Sequence, residues 1–170
     1  MGPDQADISN VFDTVSLGSP QNAIGFVLWR VFHRYQREVD RALEPLGMTL
    51  LQFTTLTLVA WFGKSGKEAT QADLARFGDM HPMQLSLMLK ALEKKMLIAR
   101  SISSADVRAK RAVLTGAGLI ALREALPVVV MEQQRIFGEM GAPGGILLSL
   151  LATIDQADTT HPQVKPASSD

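Results

Sequence analysis

The residues best suited to chemistry in this chain are cations and hydrogen-bonding side chains between positions 64 and 111. This stretch holds ten Lys/Arg against five Asp/Glu, whereas the remaining residues hold seven against twelve. The whole chain of 170 residues is therefore neutral, but its centre is basic and its flanks are acidic. A local excess of cations attracts phosphates, so the pattern favours an interaction with nucleic acid.

Two short helices joined by a tight corner are predicted to position these groups. In the first, TQADLARF, Thr70 and Asp73 have the spacing of a capping box. The side chains expected to face inward are Ala72, Leu74, Ala75 and Phe77. Gly78-Asp79 ends this helix, and Pro82 begins the next at a position where a missing N–H costs nothing.

The second helix, PMQLSLMLKALEKKM, has two different faces. Its buried stripe, at i, i+3, i+4 and i+7, consists of Leu85, Met88, Leu89 and Leu92. The other face carries Met83, Gln84, Ser86, Leu87, Lys90 and Lys94. Two helices meeting at a corner, the second with a separate outward face, are typical of a helix-turn-helix that places its second helix in the DNA major groove.

The outward face offers several kinds of contact with double-stranded DNA. Gln84 matches the N6 and N7 atoms of adenine, and Ser86 can serve either base type. Met83 and Leu87 suit thymine methyl groups, which favours an A·T-rich operator or readout of DNA shape. The remaining predicted contacts on these helices are Thr70, His81 and Lys90, with His81 at a helix start where phosphate binds. In the alternative interpretation, Met83 and Leu87 pack on a neighbouring element or a partner protein, and DNA readout is degraded.

A β-hairpin is predicted directly after these helices. LIARSIS and AKRAVLT are strand-like runs around the polar tip SADVR. The groups at or near the tip are Asp106, Arg108, Lys110 and Arg111, and Arg100 lies on the partner strand. A hairpin in this position is a wing, which places cations beside the DNA backbone or in the minor groove. Lys110 and Arg111 alternate along a strand, so only one of them faces DNA on a given side.

The chain from Asp73 to Gly118 resembles the winged-helix core of the MarR (multiple antibiotic resistance regulator) family. The matching features are the LA pair in the first helix, the L-E-K-K run closing the second, D-x-R at the wing tip, and L-T-x-x-G after it. The resemblance implies that Arg108 enters the minor groove, held by an ion pair with Asp106. It also implies a homodimer formed by N- and C-terminal helices. A small aromatic or phenolic effector would bind between those helices and the winged core, where Trp29, His33 and Trp61 are candidate lining residues. The alternative for these three is an ordinary core position.

The expected fold is mainly α with a small β wing. Residues 1–19 and 159–170 are predicted to be flexible, and 20–158 to form a single MarR-like domain. In that domain, dimerisation helices at 20–46 and 115–158 flank a winged helix-turn-helix core at 49–114. Pro127 interrupts the last long helical pattern, so a kink is expected there.

Several function classes are disfavoured by the sequence. The absence of cysteine excludes disulfides and thiolate sites, and the three histidines lie far apart, so no metal or cofactor is expected. No pattern resembles a nucleophile elbow, a Gly-rich phosphate loop or an acid/base pair, so an enzyme is not expected. The chain shows no secretory signal and no apolar run long enough for a membrane span, which favours the cytoplasm.

The sequence thus predicts a homodimeric transcription regulator, most simply a repressor of a near-palindromic operator that a small aromatic ligand releases. The competing hypothesis is a winged-helix protein-interaction module.

Overall fold

The computed structural model describes residues 2–14, 16–64, 66, 69–102 and 110–158. The chain divides into two compact units, Met1–Val129 and Val130–Asp170, whereas the sequence predicted one domain over 20–158. In chain order the helices and strands are α1 (Gln5–Thr14), α2 (Ile24–Leu43), α3 (Leu50–Lys64), β1 (Ala69–Thr70), α4 (Gln71–Phe77), α5 (Pro82–Lys94), β2 (Ile98–Ile102), β3 (Lys110–Leu114), α6 (Gly116–Phe137) and α7 (Ile146–Asp158).

The helix predicted near 22–46 is present as α2 followed by a 3-10 turn, Glu44–Leu46. The change of helix type accommodates Pro45, which has no N–H to donate and sits in the first positions of the turn. Gly47 then ends the turn with a φ of +62°, a left-handed conformation that favours glycine. The last turns of α2 bury Val39 and Leu43, while its N-terminal half is exposed.

The core of the first unit forms where α3 crosses α4 and α5. From α3, which is apolar nearly all round, it contains Phe53, Leu56 and Val59. Leu74 of α4 is fully buried in the same cluster, together with the α5 side chains Leu85, Leu89 and Leu92. The predicted stripe of α5 is confirmed for these three leucines, and Met88 is half-buried. On α4 the prediction was wrong for Ala72 and for Phe77, which is 61% exposed, because a seven-residue helix buries only one narrow face.

The wing is part of a three-stranded antiparallel sheet with strand order β1-β3-β2. Strands β2 and β3 form the predicted hairpin, in a register that places Arg100 opposite Ala112 and Ser101 opposite Arg111. Strand β1 was not predicted. It pairs Ala69 with Ala112 and Thr70 with Arg111, so the wing is joined to the start of α4.

Helix α6 begins after Thr115, whose hydroxyl accepts the Gly118 N–H at 2.9 Å, and it continues through Pro127. Its buried positions in the first unit are Gly118, Leu122, Ala125 and Val129. Leu119 and Leu126 of the same helix are exposed. In the second unit a 3-10 turn, Gly138–Gly141, precedes α7, and the exposed apolar residues of α7 include Ile146, Leu150 and Ile154.

The first 19 residues contain a helix, α1, where the sequence predicted no regular element. The flexibility of residues 1–19 stays a prediction. The tail 159–170, which includes His161, lies outside the described residues, so its flexibility also stays a prediction. Among the described residues, no single helix is both long and apolar enough to cross a bilayer, although two bent helix pairs meet that test by length and composition alone.

Candidate nucleic-acid interface

The outward face of α5 is exposed, as expected for a recognition helix. Met83 and Leu87 expose 69% and 55% of their surface, and Gln84 and Lys90 are exposed with them. Ser86 is half-buried. Because Leu85, Leu89 and Leu92 fix the opposite side in the core, the helix presents this face in one orientation. The exposed apolar side chains do not pack on a neighbouring element within the part of the chain that the structure describes.

The start of α5 is capped by His81. The Met83 N–H donates to His81 Nδ1 at 3.3 Å, and Pro82 follows at the first helical position. This assignment gives His81 a structural task in addition to the predicted phosphate contact, because its Nδ1 lone pair is used inside the chain. Its Nε2 edge is the part of the ring left to meet a phosphate at the helix N-terminus.

The predicted capping box of α4 is confirmed. The Asp73 N–H donates to Thr70 Oγ1 at 3.2 Å, and the Thr70 N–H donates to Asp73 Oδ2 at 3.3 Å. The Thr70 hydroxyl also donates to Asp73 Oδ2 at 2.6 Å, and this bond is the main reason that the pKa of Asp73 lies below its ordinary value. The single Thr70 hydroxyl proton is therefore committed to α4, which leaves only a lone pair of that oxygen for the DNA contact predicted at this residue.

The cations of the wing strands have different surroundings. Arg100 donates to Glu93 Oε2 from Nε at 2.8 Å and forms an ion pair through Nη2 at 2.7 Å. Its side chain is only 14% exposed, so it ties β2 to the end of α5 rather than reaching outward. Arg111 Nε donates to Ser101 Oγ at 2.6 Å across the hairpin, whereas Lys110 is exposed at the start of β3. Lys110 is thus the strand cation left to meet a phosphate. Asp106 and Arg108 lie outside the described residues.

The three candidate effector-binding residues are not brought together. Trp29 and His33 meet edge to face on α2, with ring centroids 4.6 Å apart. Both line an open groove of about 660 Å³, here called the α2 groove. Among the described residues its lining comes from α2 alone: Val27, Trp29, Arg30, Val31, His33, Arg34 and Arg37. Trp61 is exposed near the end of α3, where Lys64 Nζ lies 4.9 Å from its ring centroid, and it does not line this groove.

Three residues of the α2 groove were missed by the reasoning from sequence. Arg30, Arg34 and Arg37 follow one another at i+4 and i+3, the spacing that places side chains on one side of a helix. The same arithmetic places Trp29 and His33, at i and i+4, beside them. This spacing is the signal in the sequence that could have identified the three arginines.

This chain combines an exposed recognition helix, a capped partner helix and a wing that is part of a sheet. These elements define the winged helix-turn-helix class of DNA-binding domains.

Residues 48–110 match the model of the MarR family. The chain is 35% identical over 118 residues to the uncharacterized HTH-type transcriptional regulator YdcH of Bacillus subtilis, covering 69% of this chain and 80% of that protein. It is 31% identical over 120 residues to the HTH-type transcriptional repressor Rv2887 of Mycobacterium tuberculosis, covering 71% and 84%.

Solved structures agree with these matches. The transcriptional repressor CouR, a protein of Rhodococcus jostii RHA1, bound to a 23-mer DNA duplex, is similar with a TM-score of 0.66 and 27% identity, covering 78% of this chain and 92% of that one. The chain belongs to the MarR family of DNA-binding transcription regulators. Members of this family act as regulators rather than as enzymes.

Proposed function

We propose that this regulator is a homodimeric repressor that binds a near-palindromic operator and is released by a small aromatic or phenolic ligand. The observation that carries the proposal is the exposed face of α5, where Gln84 and Lys90 accompany Met83 and Leu87. This face combines a base-reading amide, a phosphate-binding cation and apolar groups suited to thymine methyls. The repressor names of Rv2887 and CouR support the direction of regulation.

The proposed dimer is supported by apolar surface that one chain leaves uncovered. The N-terminal half of α2 exposes Ile24, Phe26, Val27, Leu28, Trp29, Val31 and Phe32. Large exposed apolar patches on a single chain mark interaction sites, because their transfer out of water is favourable by roughly 25 cal/mol per Å². A two-fold interface would cover this surface and pair the two recognition helices.

The proposed effector site is the α2 groove. Trp29 and His33 supply an aromatic edge, and Arg30, Arg34 and Arg37 supply positive charge for an acidic substituent. A ligand bound beside the proposed dimer interface can favour one spacing of the recognition helices over another, provided that its affinity differs between the two arrangements. Thermal-shift screening of aromatic acids tests this part, since a ligand of the folded state raises its midpoint.

The experiment that tests DNA binding measures affinity against salt, using a duplex selected by the protein from random and genomic DNA. We expect a steep fall in affinity with salt, and we expect Lys90→Ala to reduce the slope by about one. The matched control is Arg123→Ala, which removes an exposed cation of α6 and should leave the slope unchanged. Arg108→Ala should weaken binding strongly if this residue enters the minor groove as proposed. Salt-independent binding, or none at low salt, contradicts the proposal.

A second candidate function, docking of a partner protein on α5, is favoured by the exposure of Met83 and Leu87. The two functions separate on Leu87→Arg. An added cation on a DNA-reading face keeps or raises affinity for non-specific DNA, whereas a charge in an apolar docking site abolishes docking.

A further inference from the structure

We propose that α1 is an acidic arm that docks in the α2 groove of the second copy. The proposal rests on the homodimer of the proposed function and goes beyond it by assigning a task to the segment 4–14, which would compete with the proposed ligand for the same groove. The interacting surfaces are the apolar stripe of α1, formed by Ile8, Val11 and Phe12, and the cationic, partly apolar lining of the groove.

Helix α1 has the form of a docking helix without a partner. Its stripe residues follow one another at i, i+3 and i+4, yet they are 48%, 56% and 46% exposed, and α1 contains no buried residue. Asp4 caps the helix by accepting the Asp7 N–H at 2.8 Å. A helix of ten residues is marginal in water on its own, so α1 needs an apolar surface to pack against.

The corner between α1 and α2 has its own hydrogen bonds. The Ser16 hydroxyl donates to the Phe12 carbonyl at 2.7 Å, and its oxygen accepts the Gly18 N–H at 3.0 Å. Asn22 Nδ2 donates to the Leu17 carbonyl at 2.9 Å, and Gly18 has a φ of +79°. With these bonds in place, about half of the surface of each stripe residue remains uncovered by the described residues of its own chain.

Charge selects the α2 groove as the surface that α1 covers. Residues 1–23 contain Asp4, Asp7 and Asp13 and no Lys or Arg. The groove presents Arg30, Arg34 and Arg37 on one side of α2. Asp4 and Asp7 precede Ile8 and Val11 by four residues, so these two carboxylates lie beside the stripe of α1, whereas Asp13 lies on the opposite side of the helix. Beside the arginines, Val27 and Val31 offer an apolar strip for the stripe of α1. An acidic amphipathic helix and a basic groove with an apolar strip are complementary in both charge and polarity.

The absence of cysteine from the chain makes a direct test by site-specific crosslinking possible. An affinity-tagged chain carrying Phe12→Cys is mixed with an untagged chain carrying Val31→Cys, allowed to exchange subunits, and treated with a short bismaleimide. We expect a band of twice the chain mass that contains both chains. The matched control replaces Phe12→Cys with Asn10→Cys, which places the thiol away from the stripe of α1 and should lower the yield severalfold.

Charge reversal tests whether ion pairs hold α1 in the groove, which crosslinking of two nearby thiols does not show by itself. Asp7→Lys should lower the crosslinking rate about two- to fivefold, and Arg30→Glu in the other chain should restore it. These positions are exposed, so the variants are expected to fold, which circular dichroism checks.

The possible failures are distinguishable by sizing of the uncrosslinked protein. If the protein is a dimer and Phe12→Cys and Asn10→Cys react equally, α1 does not dock in the groove, but the proposed regulator remains intact. If a chain carrying both Phe12→Cys and Val31→Cys crosslinks only within itself, α1 docks in the groove of its own chain and not in that of the second copy. A monomer contradicts the proposed function and the arm with it.

Discussion

The side chain of Asp73 stabilises the first helix of the helix-turn-helix most strongly while its carboxyl group is ionised. The Thr70 hydroxyl and N–H donate to this carboxylate, and the pKa of Asp73 is lowered in the folded chain, chiefly by the hydroxyl bond. A lowered pKa means that the stabilisation is present above the unfolded-state pKa of about 3.9 and is lost as pH falls through the folded-state value.

Asp73→Asn should therefore reduce the free energy of unfolding by about 0.5 kcal/mol near neutral pH, a modest effect because the group is largely solvated. The difference from the parent chain should begin to shrink as pH falls below about 4 and should vanish once pH lies well below the lowered folded-state pKa of Asp73. Urea unfolding of both chains from pH 7 to pH 3 measures this. A difference that persists unchanged at pH 3 would show that the ionised carboxylate is not its origin.

Met96 closes α5 with a backbone conformation that glycine usually provides. Its φ is +59°, its N–H donates to the Glu93 carbonyl at 2.8 Å, and the Leu97 N–H donates to the Leu92 carbonyl at 3.0 Å. These are the bonds of a Schellman motif with Met96 at the left-handed position. The side chain is 75% exposed, so its removal loses little burial.

Met96→Gly should raise the free energy of unfolding by about 1 kcal/mol, because a side chain in the left-handed region costs about that much. The matched control is Lys94→Gly, two residues earlier at an exposed helical position, which should lower stability by about 1 kcal/mol. Chemical denaturation of the three chains compares them. Equal losses in both variants would refute the strain at Met96.

At the scale of elements, the junction between β2 and α6 depends on close backbone approach at Gly118. A Cβ added there would lie 1.9 Å from the Leu97 carbonyl oxygen and 2.8 Å from Leu114 Cδ1. That carbonyl cannot easily move, because it accepts the Thr115 N–H at 3.1 Å. The Thr115 hydroxyl lies 3.0 Å from the same carbonyl oxygen and 2.7 Å from that of Met96, so its one proton is shared between the two. The packing of α6 beside the wing strand therefore requires glycine at this position.

Gly118→Ala should cost about 2–3 kcal/mol of stability, at the upper end of ordinary overpacking because the obstructing atom is backbone. Gly116→Ala, in the same helical turn with nothing within 4 Å of the added Cβ, should be neutral or slightly stabilising. Thermal and urea unfolding distinguish the two. Similar stabilities for both variants would mean that α6 shifts away from Leu97 at little cost.

Local chemistry explains which elements the sequence could predict. The Thr70–Asp73 capping box and the Leu85, Leu89 and Leu92 stripe are confirmed, because both depend on spacing within one helix. Strand β1 was missed, since two residues carry no strand pattern and its pairing partner lies some forty residues away in sequence. The same distinction between spacing within one helix and packing between elements applies to the site residues. The exposed face of α5 was predictable, whereas the separation of Trp61 from Trp29 and His33 depends on packing between different helices.

At the scale of the whole molecule, the basic centre lies between acidic flanks, and the flanks carry much of the uncovered apolar surface. This distribution gives the two kinds of surface different tasks. Charge attracts the central winged core to DNA, while the uncovered apolar surface of the flanks is available to hold copies together in the proposed dimer.

A dimer of this kind should bind operators with a fixed spacing between half-sites. The two recognition helices of such a dimer meet successive major grooves on one face of the duplex, about 34 Å apart. Inserting five base pairs between the half-sites turns one of them to the opposite face, so only one recognition helix can bind. We expect affinity to fall about a hundredfold or more, towards that of a single half-site, because the second contact loses its high effective concentration.

The control replaces the five central base pairs without changing the length of the duplex, and it should lower the affinity far less. Equal affinity for the parent and lengthened duplexes would mean that the copies bind independently, and the paired arrangement of recognition helices would have to be abandoned.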